Sequence, residues 1–528
     1  MSEANGQQLP KGWVATSLGA IQFDLATGVK PARRPDEMFE LCSVPSHEKG
    51  VPETVCGRAI GSNKQTVVPN TVLLCKINPR INRVWVVETE SKHSTIASTE
   101  WIPFFPVPGL EPRYLAYFLR QNTVRDFLAH NASGVGGSLM RVRAATFRDF
   151  RFVIAPSTEQ ERIADALDEL LSDLDAGVAA LERVQAKLKH YRAAVLKAAV
   201  EGALTAEWRA QHPATEPASA LLTRILAERR RRWEEAQLQK FKEAGKAPPK
   251  NWKAKYQEPA GPDTTNLPLL PTSWRWVRLE ELLCEIEAGK SFTCVPRRAD
   301  LGEWGIIKVS AMSWGFFDEN ENKTVPSTRK IDPYYEIKNG DILLSRANTY
   351  ELVGASVLVK SCRPRLLLSD KSMRLLHGPS VDKVWLQTML GSPWVRRQLS
   401  TKSTGTKEGM RNVSQGSVLD VVIPLAPAAE CLELVETVED QLSVIEHLEA
   451  DLDAKLKSAQ ALRQSILRHA FTGQLVPQDP KDEPAAELLT RIAAQREELA
   501  RQAQAAKKTK PKAPPKRAVK QTKEEALS

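Results

Sequence analysis

Residues 157–202 decide the fold of this chain, and they read STEQERIADALDELLSDLDAGVAALERVQAKLKHYRAAVLKAAVEG. No proline interrupts the run, and Ser157 followed by Gln160 resembles the capping box that opens many helices. Apolar residues recur at every seventh position, which is the repeat of a coiled-coil helix about 65–70 Å long. These positions are Leu167, Leu174, Leu181, Leu188 and Val195, with Leu170, Val184, Tyr191 and Ala198 on the alternate seam and Gly177 as its gap.

A second run, 428–470, repeats this design with Val438, Ile445, Leu452, Ala459 and Ile466 on one seam and Leu448 and Leu462 on the other. Gly177 and Leu448 occupy equivalent positions, and a small residue in one helix with a large one in the other favours mutual packing. We therefore predict two long helices paired antiparallel as a stiff spacer. The residues predicted to form the pair are Leu167, Leu174, Leu181, Leu188, Ile445, Leu452 and Ile466. The alternative is that each helix packs only on its own domain.

The chain also repeats itself outside the helices. Three stretches return later in the sequence: LPKGWVATSLGAI (9–21) as LPTSWRWVRLEEL (270–282), LKAAVEGAL (196–204) as LRHAFTGQL (467–475), and EPASALLTRI (216–225) as EPAAELLTRI (483–492). A period this long indicates a duplicated unit of domain plus helix. The middles, 28–140 and 289–410, agree poorly, which suggests one architecture that recognises two different things. A duplicated structural domain that simply diverged is the alternative.

Together these patterns predict an α+β fold with pseudo-two-fold internal duplication, in which two long antiparallel coiled-coil helices separate two globular α/β domains. The predicted segments are a first globular domain (9–156), a first spacer helix (157–205), a charged linker (206–265), a second globular domain (266–427), a second spacer helix (428–475), and a helical segment with a basic, disordered tail (476–528).

The positive charge of the chain is concentrated at its C-terminal end. The net charge is +10, but the tail from residue 507 contributes +6, because 507–523 hold eight Lys or Arg and no acid before Glu524 and Glu525. Such a tail predicts a polyanionic partner, while the remaining +4 says little about the folded part.

Composition also bears on the compartment. The seven cysteines are scattered singly without a C-x-x-C pair, which disfavours a zinc site or a disulfide framework and fits a reducing cytoplasm. No stretch approaches the roughly 18–20 apolar residues of a membrane span, and the N-terminal residues lack the apolar region of a secretory signal. We therefore expect a cytoplasmic protein with no membrane partner.

Two pairs of polar loops have the chemistry that DNA recognition requires. The first pair is KINPRINR (76–83) and RANTYELVG (346–354), in which Lys76 aligns with Arg346 and Asn78 with Asn348. The second pair is HNASGVGGSLMRVR (130–143) and STKSTGTKEGMRNVS (400–414), in which Met140-Arg141 aligns with Met410-Arg411. Arg or Lys can donate to guanine, Asn can pair with adenine, and Gly/Ser turns can hold phosphates. Ordinary turns are the alternative.

The residues predicted to contact DNA are therefore the polar and basic members of these four loops. They are Lys76, Asn78, Arg80, Arg83, Ser133, Ser138, Arg141 and Arg143 in the first domain, and Arg346, Asn348, Thr349, Lys402, Thr404, Thr406, Lys407, Arg411 and Asn412 in the second.

Known catalytic motifs occur only as incomplete fragments. Gly289-Lys290-Ser291 matches the end of a P-loop, yet Cys284 stands where its first glycine would be. Asp332-Pro333-Tyr334-Tyr335 and Asn78-Pro79-Arg80-Ile81 lack the second proline of the amino-methyltransferase loop, and no glycine-rich cofactor strand precedes them. We predict no catalytic site, no metal site and no cofactor bound directly by this chain, and a self-sufficient methyltransferase is disfavoured.

From Leu9 to about Leu499 the chain resembles the specificity subunit of a Type I restriction–modification system. The resemblance rests on the two LPxxW starts, the strand and loop DILLSRANTYELVG, the junctions VIAPSTEQERI and VIPLAPAAECL, and the helix endings LKAAVEGALTAEW and LRHAFTGQLVPQ. Two features depart from it: the usual Glu-Gln of the second junction is reduced to Glu430-Cys431, and a basic tail follows residue 506.

This resemblance implies that recognition, modification and restriction of DNA are carried out by different subunits. Each globular middle would be a target recognition domain for one half of a split sequence in double-stranded DNA, and the helices would set the distance between the halves. The helices would also dock modification subunits, two being expected, which bring S-adenosylmethionine and methylate adenine. Restriction subunits would supply ATP-driven translocation and cleavage with Mg²⁺, and this chain would not be an enzyme. A non-specific architectural DNA-binding protein and a coiled-coil scaffold are the alternatives.

Overall fold

A computed structural model describes residues 9–508 except 23–24, 88–90, 135–139, 314 and 408–409. The predicted DNA contact Ser138 and the basic tail from 509 onward lie outside the described residues. The chain folds into two compact units, Met1–Leu181 with Ala454–Ser528 and Glu182–Asp453. No helix in the described part is both long and apolar enough to cross a membrane.

In its described residues, the globular domain of the first unit has ten strands and three short α-helices. Its strands are β1 (Val14–Ser17), β2 (Gly28–Val29), β3 (Met38–Cys42), β4 (Glu53–Cys56), β5 (Lys64–Thr66), β6 (Val72–Cys75), β7 (Val84–Val86), β8 (Ser94–Ser98), β9 (Trp101–Phe104) and β10 (Arg151–Ile154), and its helices are α1 (Leu18–Ile21), α2 (Pro112–Leu119) and α3 (Asn122–His130). A five-stranded sheet has the order β2-β5-β8-β3-β4, a three-stranded sheet has the order β7-β6-β9, and β1 pairs with β10.

Three helices follow, namely α4 (Ser157–Val200), α5 (Ala206–Gln211) and α6 (Ala218–Glu243). The helices of the second globular domain are α7 (Leu279–Leu282), α8 (Lys383–Gly391), α9 (Pro393–Lys402) and α10 (Gln415–Leu419). Its strands are β11 (Arg275–Arg278), β12 (Leu283–Ala288), β13 (Gly305–Ile307), β14 (Asn322–Thr324), β15 (Ile342–Ser345), β16 (Ala347–Asn348), β17 (Ser356–Leu358), β18 (Leu366–Leu367), β19 (Ser372–His377), β20 (Thr404–Lys407), β21 (Met410–Asn412) and β22 (Val422–Leu425). The last helices are α11 (Ala428–Ala470) and α12 (Ala485–Lys508).

The second globular domain has a four-stranded sheet in the order β12-β19-β15-β17, two three-stranded sheets, β14-β13-β18 and β16-β21-β20, and the pair β11-β22. In both units the strand after the LPxxW start therefore pairs antiparallel with the last strand before a long helix, as β1 does with β10 and β11 with β22. The predicted α+β class is confirmed, because each unit combines a mixed domain with segments of long helices.

The repeated EPA-LLTRI stretches have the same place in both units. The Ala218 amide donates to the Ser273 carbonyl at 2.9 Å in the second unit, and the Ala485 amide donates to the Gly12 carbonyl at 2.8 Å in the first. The apolar residues that follow are buried in the core of the same unit: Leu221, Leu222 and Ile225 in the second, Leu488 and Ile492 in the first. The start of α6, within the segment predicted as a charged linker, is thus part of a core.

The helices bury one predicted seam but not the other. The sevenfold positions face inward, and all of them are buried or half-buried: Leu167, Leu174, Leu181, Leu188 and Val195 on α4 and Val438, Ile445, Leu452, Ala459 and Ile466 on α11. The companion seam lies four residues further on, at Leu171, Val178, Gln185, Arg192 and Ala199 on α4 and at Leu442, Glu449, Leu456, Arg463 and Ala470 on α11. The predicted alternate seam is wrong, because Leu170, Val184, Tyr191, Leu448 and Leu462 are 41–53% exposed.

The pattern of apolar residues does not predict the companion seam, because several residues of that seam are polar. In the second unit, Gln185 Nε2 donates to Asp453 Oδ1 at 3.0 Å, and Arg192 Nη2 donates to Glu449 Oε2 at 3.1 Å. Since the partner number falls as the α4 number rises, the two helices run antiparallel there. Paired polar groups at a seam cost less than isolated ones and favour one register over its neighbours.

The helix pair has two different flanks. Acidic residues that directly follow inward-facing Leu or Ile form the charged flank, where Asp175 binds Arg463 in the first unit and Glu446 lies 3.7 Å from Arg192 in the second. The exposed apolar residues on the opposite side form the apolar flank, comprising Leu170 and Leu462 in the first unit and Val184, Tyr191 and Leu448 in the second. Within each unit they fall on one side, because the two-fold axis of an antiparallel helix pair maps each position onto the same side of the partner helix.

Adjacent leucines test the seam. We expect Leu171→Ala, which empties a buried position, to lower the free energy of unfolding by about 2–5 kcal/mol. Leu170→Ala is the control, and we expect it to cost less than about 1 kcal/mol because its side chain is 41% exposed. Urea denaturation of the full chain, followed by circular dichroism, measures both. Equal losses from the two variants would contradict the assigned seam.

Candidate nucleic-acid interface

The two predicted loops of the first unit are joined by backbone hydrogen bonds. The Val142 amide donates to the Lys76 carbonyl at 3.0 Å, and the Asn78 amide donates to the Met140 carbonyl at 2.9 Å. Ile77 and Arg141 lie opposite each other in the resulting antiparallel bridge. The stretch after β6 and the stretch before β10 therefore form a single polar surface.

The second unit joins its loops in the same way. The Val413 amide donates to the Arg346 carbonyl at 2.9 Å, and β16 pairs with β21 so that Ala347 lies opposite Asn412. Since Lys76 corresponds to Arg346, the bond to Val413 is the counterpart of the bond to Val142. The counterpart of Asn412 is consequently Arg141, so the sequence alignment of Met140-Arg141 with Met410-Arg411 is wrong by one residue.

The candidate residues of the first unit differ in accessibility. Arg80, Ser133 and Arg143 are exposed, whereas Lys76 is half-buried. Asn78 adopts the left-handed conformation with φ 48°, which asparagine tolerates better than most residues. With Pro79, Arg80 and Met140 among its neighbours, Asn78 lines a cavity of about 220 Å³. Its Oδ1 is buried and has no hydrogen-bond partner among the described residues, so this loop contains an unsatisfied acceptor near the exposed Arg80.

Two arginines of the first unit are already engaged within the protein. Arg141 Nε donates to Glu100 Oε2 at 3.1 Å, and the Glu100 carbonyl accepts the Lys76 amide at 3.0 Å. The Arg83 side chain is only 14% exposed and lies 3.8 Å from the Glu48 carboxylate. Arg83 is therefore placed beneath the surface, and Glu100, which no sequence pattern singled out, holds the loops together.

In the second unit Arg346, Thr349 and Asn412 are exposed, and Arg346 forms no ion pair within the described part of the chain. Asn348 is half-buried and its Oδ1 accepts the Thr349 amide at 2.9 Å. The other candidates of this unit sit on or beside the hairpin β20–β21: Lys402 donates to the Asp420 carbonyl at 2.9 Å, Thr404 Oγ1 lies 3.5 Å from the Asn412 carbonyl, and Thr406 and Lys407 lie in β20, with side chains outside the described set.

The Arg411 side chain, in β21, forms hydrogen bonds with residues at the start of the hairpin β20–β21. Its Nε donates to Ser403 Oγ at 3.1 Å, its Nη2 to the Ser403 carbonyl at 2.9 Å, and its Nη1 to the Gly405 carbonyl at 3.0 Å. The guanidinium also lies over the Tyr350 ring, 5.6 Å from its centroid, which links the hairpin to the loop after β16. With its donors used in this way, Arg411 positions the loops rather than presenting itself to a ligand.

The incomplete catalytic fragments have packing roles. A side chain at Gly289 would overlap the Leu368 and Ser369 carbonyls, and Lys290 lies over the Tyr335 ring at 4.6 Å. Tyr334 donates to Glu287, which also binds the buried Arg374 at 3.0 Å. Arg374 pairs with Asp341 at 3.0 Å as well, and burial raises the pKa of that carboxyl. Among the described residues, no group of three or more His, Cys, Asp or Glu is placed to hold a metal ion.

Comparisons with known proteins find that the chain is similar to specificity subunits of Type I restriction enzymes. It is 28% identical over 404 residues to the Type I restriction enzyme EcoEI specificity subunit of Escherichia coli, covering 67% of this chain and 65% of that protein. It is 25% identical over 393 residues to the EcoKI specificity subunit of Escherichia coli K12, covering 72% and 71% of the two chains. The match thus spans just under two thirds of the first relative. No family model matches the chain.

A solved structure agrees on the fold. A chain from a study of complex assembly and conformational transition of the type I R-M system superposes with a TM-score of 0.61 at 16% sequence identity, covering 88% of this chain and 99% of that one. At this level of sequence identity the likeness is evidence for the fold alone.

The positioning role of Arg411 can be tested without any ligand. We expect Arg411→Gln to increase amide hydrogen exchange in residues 403–413, because it removes three hydrogen bonds and the contact with Tyr350. Arg397→Gln is the matched control, since Arg397 is exposed on the neighbouring helix α9. Hydrogen exchange read by mass spectrometry measures both, and unchanged protection of the hairpin in Arg411→Gln would refute the positioning role.

Proposed function

We propose that this chain, a homologue of Type I specificity subunits, is the sequence-specific DNA-recognition subunit of a Type I restriction–modification complex. One observation carries the proposal: each unit joins its two polar loops by the same backbone bond, Val142 to Lys76 and Val413 to Arg346, while presenting different side chains there. Each globular domain then reads one half of a bipartite target, and the two halves differ in sequence.

The exposed side chains suit direct reading of base edges. Arg80 and Arg143 in the first unit and Arg346 in the second can each donate two hydrogen bonds to guanine, and Asn412 can pair with adenine. The engaged residues, Arg141 and Arg411, support these loops from within. Each good bidentate contact is worth about 1–3 kcal/mol of discrimination against the wrong base.

The long helices have two further roles in this proposal. They set the spacing between the half-sites, and they dock two modification subunits, which supply S-adenosylmethionine and transfer the methyl group to adenine. The apolar flank supports docking, because Leu170, Tyr191 and Leu462 are each 41% exposed or more on a helix pair whose own seam lies elsewhere. Restriction subunits with ATP and Mg²⁺ would join this assembly, and the chain itself would be non-catalytic.

Methylation mapping tests the recognition role. In a host that expresses the chain with its partner subunits, we expect a bipartite methylated motif that disappears when the chain is deleted. Arg346→Ala should relax one half of that motif and leave the other intact, because Arg346 belongs to one unit only. Arg397→Ala is the control and should leave both halves unchanged. If deletion of the chain removed no motif, the recognition role would be wrong.

Neighbouring substitutions test the docking surface. We expect Tyr191→Lys combined with Leu448→Lys to abolish co-purification with the modification subunits, since both changes place charge on the apolar flank. His190→Lys combined with His447→Lys changes the adjacent exposed residues and should leave the complex intact. Size-exclusion chromatography with light scattering measures the complex, and circular dichroism checks that both variants keep their helices. Equal retention of the partners by both variants would exclude the apolar flank as their docking site.

A further inference from the structure

A basic groove lies on the five-stranded sheet of the first unit, and none of its lining residues belongs to the two predicted loops of that unit. Its volume is about 420 Å³, its floor includes the buried Phe39 and Ile96, and its rim includes Lys30 and Arg33. No sequence pattern pointed to this region, since its cations come from the short stretch GVKPARRP at 28–35.

The loop that carries these cations is held in one conformation. Pro31 is buried, the Arg34 amide donates to the Pro31 carbonyl at 2.8 Å, and the Arg58 amide donates to the Pro35 carbonyl at 3.1 Å. Gly57 permits this packing, because a side chain at Gly57 would overlap the Arg34 and Pro31 carbonyls. The cations are thus presented by a rigid turn, which lowers the entropy lost when they bind a ligand.

The groove has an excess of hydrogen-bond donors and positive charge. Arg34 lies 3.3 Å from Glu37, but Lys30 and Arg33 are exposed and form no ion pair within the described part of the chain. The hydroxyls of Thr27 and Thr66 lie 2.9 Å apart at the same groove. These two hydroxyls already bond to each other, so the donors left for a ligand are Lys30 and Arg33, whose charges suit a phosphate diester.

The sheet also links this groove to the reading loops. Val29 pairs with Lys64 and Lys64 with Ser98, so one rung of the sheet runs from the residue before Lys30 to β8. At about 4.8 Å per strand this rung spans about 10 Å. Ser98 is followed closely by Glu100, which binds both the Lys76 amide and the Arg141 side chain. The groove and the loops can therefore meet the same duplex, whose major groove is about 12 Å wide.

We infer that Lys30 and Arg33 form a phosphate-binding site that holds the DNA backbone beside the first half-site without reading its sequence. The inference rests on the proposed DNA-recognition function and adds an anchoring site to it.

The test is the salt dependence of DNA binding by the full chain. The variant is Lys30→Gln combined with Arg33→Gln, and the control is Lys11→Gln combined with Arg151→Gln, which removes the same charge from exposed positions of the same unit. The probes are a duplex that contains the mapped methylation motif and a scrambled duplex of equal length. Fluorescence anisotropy at several salt concentrations gives the affinity and its salt slope.

We expect the Lys30/Arg33 variant to bind both duplexes about ten-fold more weakly at 0.1 M salt, with a slope smaller by about 1–2, because each phosphate contact contributes about 0.9 to that slope. The ratio of affinities for the two duplexes should stay unchanged, and the control should bind like the wild type. A variant with the wild-type slope, or one that loses only its preference for the motif, would overturn the phosphate site and leave the recognition role standing. A wild-type chain that binds the two duplexes equally would overturn the proposed function and this inference with it.

Discussion

Each globular domain depends on a junction in which a proline of the LPxxW start packs against a glycine at the end of a long helix. In the first unit Pro10 meets Gly473, and in the second Pro271 meets Gly202. Both glycines have positive φ, 72° and 69°, and a side chain at either would press on the proline. The contact joins the start of one repeat to the end of the other. Each unit is thereby assembled from segments that lie far apart in the sequence, and the strand pairs β1–β10 and β11–β22 form beside it.

A buried carboxylate near each junction is stabilised in two different ways. Glu159 accepts the Trp13 indole N–H at 3.0 Å, while burial raises the pKa of its carboxyl. Glu430 in the second unit instead accepts from Arg209 at 2.7 Å and from Thr205 at 2.6 Å. A buried charge must be paired or hydrogen-bonded to be tolerated, and either an indole or a guanidinium meets that need. The two repeats have therefore diverged in partners while keeping the acid.

The reduction of Glu-Gln to Glu430-Cys431 has a similar explanation. Gln160 donates to the Ala155 carbonyl at 2.7 Å and accepts the Glu111 amide at 3.0 Å. Cys431 keeps only the first kind of bond, from its thiol to the Ala426 carbonyl at 3.4 Å, and burial raises the pKa of that thiol. One hydrogen bond is worth about 1 kcal/mol, which a well-packed junction can lose without changing its fold.

Features that repeat along the chain could be predicted from the sequence. The role of a residue could not be predicted where that role depends on which other side chains lie beside it. The duplicated starts, the long helices and the sevenfold leucines are periodic, so they were recognisable. The companion seam was not, because Gln185 and Arg192 look like surface residues until Asp453 and Glu449 are placed beside them. Arg411 and Arg346 are likewise indistinguishable in sequence, although one is fully engaged and the other free. The polar loops are joined by backbone hydrogen bonds, so their side chains are free to differ between the two units. The glycines of the junctions, by contrast, leave no space for a side chain. This architecture therefore permits globular middles that diverge between matching ends, so that one scaffold carries two domains with different surface side chains.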